Sequence, residues 1–142
     1  MAVAWALLGA PLPGQQAAPV SAVDEATLAE GKAIYAARCA TCHGTDGEGQ
    51  PDWKTRKLDG TYPAPPQDAS GHTWHHADGL LFRVVRDGGQ AAGGPGFKTG
   101  MPAFGDTLDS EQVRAVIEYV KTFWGPSERK TQAGLSARDP YP

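Results

Sequence analysis

Between residues 24 and 124 the apolar positions recur at spacings of three and four in three places, and nowhere alternate with period two over six residues or more. The first stretch runs from Glu25 to about Ala40: Leu28, Ala29, Lys32, Ala33, Ala36 and Ala37 follow Asp24, whose short carboxylate suits a helix N-cap. A second, shorter one follows Asp78, with Leu80, Leu81, Val84 and Val85 on one face and Gly88 as its stop. The third is the clearest, with Val113, Val116, Ile117, Val120, Phe123 and Trp124 behind Asp109 and Ser110, and Glu111 in the first turn where the helix dipole favours an anion. The pattern predicts an all-α class. Residues 44–77 have little periodicity, and Gly88–Gly100 holds six glycines in thirteen residues. Loops of that length argue against a compact domain unless something besides secondary structure organises them. A bound cofactor would do so.

The two ends read differently. No ionisable side chain precedes Asp24, and the apolar run Ala2–Pro13 is twelve residues long, short of the roughly 20 needed to span a bilayer. It matches the core of an export signal, with small residues Val20, Ser21 and Ala22 at the cleavage positions, although the basic N-terminal region is missing. The expected organisation is a leader or signal peptide over 1–22, one domain over 23–125, and a polar tail over 126–142. Gly125 and Pro126 stop the preceding helix, and Leu135 is the one large aliphatic residue beyond them, so the tail is expected to be solvated. The expected location is periplasmic or otherwise exported, with no transmembrane span and with peripheral membrane association open.

Composition narrows the chemistry. The 142 residues carry 13 Lys and Arg against 16 Asp and Glu, a net charge of −3, which gives no basic footprint for a nucleic acid. The two cysteines, Cys39 and Cys42, are too close in sequence to staple a fold. They stand in Cys39-Ala40-Thr41-Cys42-His43, the spacing of covalent c-type haem attachment, in which two sulfurs bond one porphyrin edge and the histidine lies beneath the iron. Two other readings compete. A thioredoxin-like pair would want a preceding strand, whereas the segment here is helical. A zinc site would want four ligands, for which His72, His75 and His76 are the remaining donors.

With His43 as one axial ligand, the soft donor for the other position is Met101, in Gly100-Met101-Pro102-Ala103-Phe104; Met1 would leave with the leader. A thioether favours ferrous iron, so a His and Met pair raises the reduction potential. The cluster Gly71-His72-Thr73-Trp74-His75-His76 has three readings: Trp74 or His72 donating to a haem propionate, His75 and His76 taking a transition metal, or a plain loop leading to a helix cap at Asp78.

Taken together, these residues resemble the class I c-type cytochromes, in particular small exported bacterial monohaem cytochromes c, over about Glu25 to Trp124. The likeness rests on CATCHG after a helix bearing Gly31 and Tyr35, then TYPAPPQD, GHTWHHAD, GMPAFGDTL and a last helix ending in aromatics. It implies a cytochrome c fold of three to four helices with long loops wrapped around one covalent haem c. It also implies that the first and last helices cross, Gly31 and Tyr35 meeting Tyr119 and Phe123. A proline carbonyl would accept a hydrogen bond from the proximal imidazole; Pro63, Pro65 and Pro66 are available, with Pro65 or Pro66 favoured. The glycine-rich insert before Met101, the polar histidine cluster and the long tail depart from the family pattern.

Iron held by both His43 and Met101 has no vacant position, so the function expected is electron transfer, by a periplasmic redox carrier or an electron-transfer subunit, with no catalytic residue of its own. Its partners would be redox proteins, approached through a rim of Phe97, Lys98, Met101 and Phe104, with Lys98 either a docking residue or a solvated one. The competing functions are a haem enzyme or gas sensor with a labile sixth ligand, and a metal-handling protein using the histidine cluster.

Overall fold

The computed structural model describes residues 22–142, so the expected leader lies outside the described residues except for Ala22. The chain is helical as its periodicity predicts. Asp24 caps the first helix by accepting from the Thr27 amide at 2.9 Å and the Thr27 hydroxyl at 2.8 Å, and α1 runs Glu25–Ile34. Tyr35–Cys39 then forms one wide turn, in which the Ala40 amide reaches back five residues to the Tyr35 carbonyl. A short helix, α2, follows at Ala40–His43 and stops at Gly44, whose φ of 83° suits a residue without Cβ. The single helix expected over 25–40 is thus two helices joined by a π turn, a device common at functional sites.

After the long loop comes α3, Asp78–Asp87, capped by Ala77, so that Asp78 is its first residue rather than its cap. Next is α4, Ser110–Val120, opened by a reciprocal box in which Asp109 accepts from the Gln112 amide and Gln112 from the Asp109 amide. No β-strand occurs among the described residues. One isolated parallel bridge, Tyr62 with Thr99, joins the two loops.

The helix crossing is set by Gly31. A Cβ built there would lie 2.0 Å from the Ala115 carbonyl oxygen and 2.9 Å from Tyr119 Cβ, so α1 and α4 touch backbone to backbone. That contact brings Tyr35 against Tyr119 and Phe123, with ring centroids 5.5 and 5.3 Å apart, and Tyr119 against Phe123 at 5.3 Å. The offset, edge-on packing is the favourable one for aromatic quadrupoles. Behind it sit Leu81, Phe82, Leu108, Val113, Ile117 and Trp124, so the apolar stripes of α3 and α4 close one core.

Residues 126–142 are not the solvated tail their composition suggests. Pro126–Ser136 forms α5, begun by Gly125 with proline in its first turn. It is fastened mainly by polar groups. Gln132 is 3% exposed, and its Nε2 donates to Asp78 Oδ1 at 2.7 Å, to Ser136 Oγ at 2.8 Å and to the His76 carbonyl at 3.2 Å. Ser136 Oγ accepts from the Asp78 amide, and Arg83 grips Asp139 with two hydrogen bonds of 3.2 and 2.9 Å. Beyond the helix, Tyr141 packs on the core and donates to Glu118 at 2.7 Å. Glu118 and Asp78 both pair with Lys121, at 2.7 and 2.8 Å. Hydrophobic periodicity is blind to such a clasp.

Gly31→Ala is expected to lower stability by about 1–3 kcal/mol, as overpacking of a close contact does. Gln132→Ala is expected to cost about 1–3 kcal/mol by leaving buried partners unmatched. Urea unfolding checks both, and a solvated tail would make the second change neutral.

Candidate functional site

The wide turn at Tyr35–Cys39 ends on Cys39, which caps α2, and α2 carries Cys42 and His43. The two thiols are free of any disulfide, Cys42 exposed and Cys39 half-buried. Burial, assisted by the neighbouring Cys42, pushes the Cys39 thiol up to about 11. A dithiol oxidoreductase needs a lowered thiol pKa instead, so this pair does not resemble a thioredoxin-type nucleophile. Upstream, Tyr35 donates to the Gly44 carbonyl at 2.9 Å and so ties the helix crossing to the end of α2.

His43 is 9% exposed, and its Nδ1 lies 2.9 Å from the Pro65 carbonyl oxygen. The same nitrogen is 3.0 Å from the Gln67 carboxamide, whose other end is 2.9 Å from Thr73 Oγ1. A carbonyl oxygen has no hydrogen to give, so Nδ1 must carry the proton. The carboxamide end facing it is then the oxygen, with the NH2 group turned toward the Thr73 hydroxyl, since the two ends are alike in shape and only the proton count separates them. Nδ1–H is therefore held by two acceptors, and Nε2 is left as the unprotonated donor. Burial holds the ring below the ordinary imidazole range, with the Pro65 hydrogen bond pulling the other way, so His43 is neutral at pH 7.

Two loops with no regular structure make this cradle. The Gly49 amide donates to the His43 carbonyl at 2.7 Å, Gln50 to Ala64 at 2.9 Å, and Gln67 to Gly47 at 2.6 Å. A Cβ on Gly49, which has a φ of 70°, would lie 2.4 Å from Pro66 N. The last aromatic of the core closes the cradle, Trp124 Nε1 donating to the Gln67 carbonyl at 2.7 Å.

Of the favoured prolines, Pro65 faces the imidazole, whereas Pro66 is buried with its carbonyl against Gly71. Met101 lies half-buried between α3 and α4. Its amide is held by Thr99 Oγ1 at 3.1 Å and its carbonyl accepts from Gly89 at 3.1 Å, where a Cβ on Gly89 would meet Met101 Cβ at 2.9 Å. Phe104 packs on the same core as Trp74 and Phe123. None of the hydrogen bonds recorded for Met101 reaches His43.

Trp74 Nε1 donates to the Ala69 carbonyl at 3.3 Å, and its ring centroid lies 3.7 Å from that of His75. His76 instead meets His72 edge-on at 5.2 Å, and His72 stacks on Trp53 at 5.3 Å. The adjacent His75 and His76 thus diverge. No group of three or more His, Cys, Asp or Glu stands ready to hold a metal ion among the described residues. Gln67 is the site residue that sequence reasoning missed. The available signal was a lone carboxamide two positions after Pro65, in a stretch otherwise short of donors.

The comparisons agree with this geometry. The family model described as cytochrome c matches residues 28–124. The chain is 30% identical over 111 residues to the gluconate 2-dehydrogenase cytochrome c subunit of Pantoea cypripedii, an alignment covering 77% of this chain and 22% of that protein. It is 31% identical over 116 residues to the cbb3-type cytochrome c oxidase subunit FixPc of Rhizobium leguminosarum bv. viciae, covering 82% of this chain and 36% of the other. The chain therefore spans about a fifth to a third of the length of these relatives. No solved structure matches it. A buried, singly protonated imidazole beside two unbridged thiols, in a helical chain that the family model covers from α1 to Trp124, places this protein in the cytochrome c family, whose members bind haem c covalently and carry electrons.

Proposed function

We propose that the chain is an exported one-haem electron carrier, or the electron-transfer subunit of a larger oxidoreductase, with His43 and Met101 as the axial ligands. The observation that carries this reading is the seating of His43: its buried ring holds Nδ1 2.9 Å from the Pro65 carbonyl oxygen, which calls for the proton on that nitrogen and leaves Nε2 as the unprotonated one. The donor set fits the group. Two unbridged thiols one helical turn apart suit twin thioethers, and a thioether donor at Met101 suits ferrous iron. When bound, haem c supplies a one-electron couple. Every other task falls to the chain.

Pro65 and Gln67 orient the imidazole and set its basicity, as outer hydrogen-bond partners do for any metal-bound histidine. Gly88 and Gly89 let the backbone around Met101 close up, and Pro102 limits its freedom to rearrange, which keeps the reorganisation accompanying electron exchange small. The core aromatics exclude water from one side. Among the described residues no helix is long and apolar enough to cross a membrane, and the short apolar run before residue 22 supports export. The two relatives are named as subunits of a dehydrogenase and an oxidase, which supports redox proteins as partners of this chain too.

The purified ferric protein is expected to show a weak far-red methionine-to-iron absorption band. In Met101→Ala that band should vanish and the midpoint potential fall by on the order of a few tenths of a volt, within the roughly 0.8 V range that axial ligands span. A surviving band would remove Met101 from the iron. Reduced wild type should bind no carbon monoxide at neutral pH; rapid stoichiometric binding would replace the carrier reading with that of a sensor or enzyme. Intact mass of the exported protein should report one added porphyrin together with the cleavage point near Val23.

A further inference from the structure

The electron-carrier reading makes no use of the histidine cluster, yet the cluster stands two polar contacts away from His43. His72 and His76 bracket the tight turn Thr73–His75, in which the His75 amide donates to the His72 carbonyl at 2.9 Å and the His76 amide to the Thr73 carbonyl at 3.0 Å. That turn brings the two flanking imidazoles together edge-on, with centroids 5.2 Å apart, and the His72 ring lies parallel to Trp53 at 5.3 Å. Thr73, next to His72 in the turn, is only 9% exposed. Its hydroxyl is 2.9 Å from one end of the Gln67 carboxamide, whose other end is 3.0 Å from His43 Nδ1.

The surroundings of the pair favour the neutral form. Burial holds both rings below the ordinary imidazole range, and neighbouring positive charge pushes the same way: His75 and Lys54 act on His72, and His72 and His75 on His76. Imidazoles this close titrate as a pair, since a proton on one raises the cost of a second on the other. The other charged groups nearby are engaged elsewhere. Lys54 Nζ lies 4.9 Å from the Trp53 ring centroid, Asp78 pairs with Lys121 at 2.8 Å and accepts from Gln132, and Asp68 accepts from the Ser70 amide and hydroxyl. From α5, Arg129 donates to the Trp124 carbonyl. No ion pair joins either ring to a carboxylate among the described residues. The pair is therefore neutral at pH 7 and gains a proton in acid.

We infer that the His72–His76 pair is a proton site linked to the oxidation state of the iron through the Thr73–Gln67 contact, so that reduction draws a fraction of a proton onto the pair and oxidation releases it. This names a regulation of the site and rests on the electron-carrier reading. One electron enters from a donor protein, the proton comes from the solvent, and reoxidation returns both; the bond made and broken is an imidazole N–H. The cause is electrostatic. Positive charge on the turn polarises the chain from Thr73 through Gln67 to His43 and makes loss of an electron more costly. A protonated pair raises the potential, and by the reciprocity of linkage the reduced protein holds the proton more tightly. Both rings titrate below about 6.5, so the potential should fall as pH rises toward that value and be level above about pH 7.

The test is the midpoint potential of the haem-loaded full chain between about pH 4.5 and about pH 8, together with titration of the imidazole ring protons by NMR in the ferric and ferrous states. The proton affinity of the pair should be on the order of three- to tenfold higher in the ferrous protein, a tenfold difference corresponding to about 59 mV for a one-electron couple. Replacing both residues, His72→Gln with His76→Gln, should remove most of the acid-side slope, whereas His75→Gln should keep it. Thr73→Val should lose at least half of the slope while the imidazoles still titrate, and Thr73→Ser should restore it. A slope that survives in the double variant belongs to the haem propionates and would overturn the inference. Equal imidazole titrations in the two oxidation states, or the full slope in Thr73→Val, would do the same. The NMR comparison uses the unaltered chain and so does not depend on any variant folding. Absence of a reversible one-electron couple at every pH would instead remove the electron-carrier reading, a separate outcome.

Discussion

The geometry of the site depends on keeping one imidazole out of water while fixing which of its nitrogens holds the proton. His43 alone in an apolar setting would leave a polar N–H unmatched, at a cost of about 1–3 kcal/mol. The Pro65 carbonyl removes that cost, and the loop carrying it must then be held in place without helix or strand. The backbone bonds from Gly49 to His43, Gln50 to Ala64 and Gln67 to Gly47 do the holding, and Trp124 secures Gln67 from the core side. The irregular middle of the chain is therefore irregular for a reason. Its backbone groups are paired across two loops that converge on one ring.

The helices were legible because they have period. Asp24, Asp109 and Gly88 sit at the boundaries their chemistry suggests, and the Gly31 and Tyr35 pair meets Tyr119 and Phe123 as the resemblance implied. The π turn was not legible, since a helix widened by one residue leaves no mark in a stretch as rich in alanine as 33–40. The helix α5 was hidden for a different reason. Gln132, Ser136, Asp139 and Tyr141 hold it by hydrogen bonds and charge, which composition counts as solvated.

At the site, the short motif gave Cys39, Cys42 and His43 because their spacing is the chemistry itself. The choice between Pro65 and Pro66 needed coordinates, since neighbouring carbonyls in an extended chain point in different directions and only one can face the ring. Gln67 left only a faint mark, a lone carboxamide two positions after Pro65, because its importance lies in meeting His43 and Thr73 at once. The histidine cluster shows the opposite failing. Three histidines in five residues suggest a chelate, whereas the rings of His72 and His75 lie against Trp53 and Trp74.

The polar fastening of α5 has a thermodynamic corollary. An element held by apolar contact resists release because water gains nothing from the newly bared surface, whereas hydrogen-bonding groups, once parted, are promptly rehydrated. The last seventeen residues should accordingly open as a unit of their own, ahead of global denaturation, and amide hydrogens in α5 should exchange with deuterium sooner than those of α4 against which the chain end rests. The protein then has two tiers of cooperativity, with the inner one coinciding with the span the cytochrome c family shares.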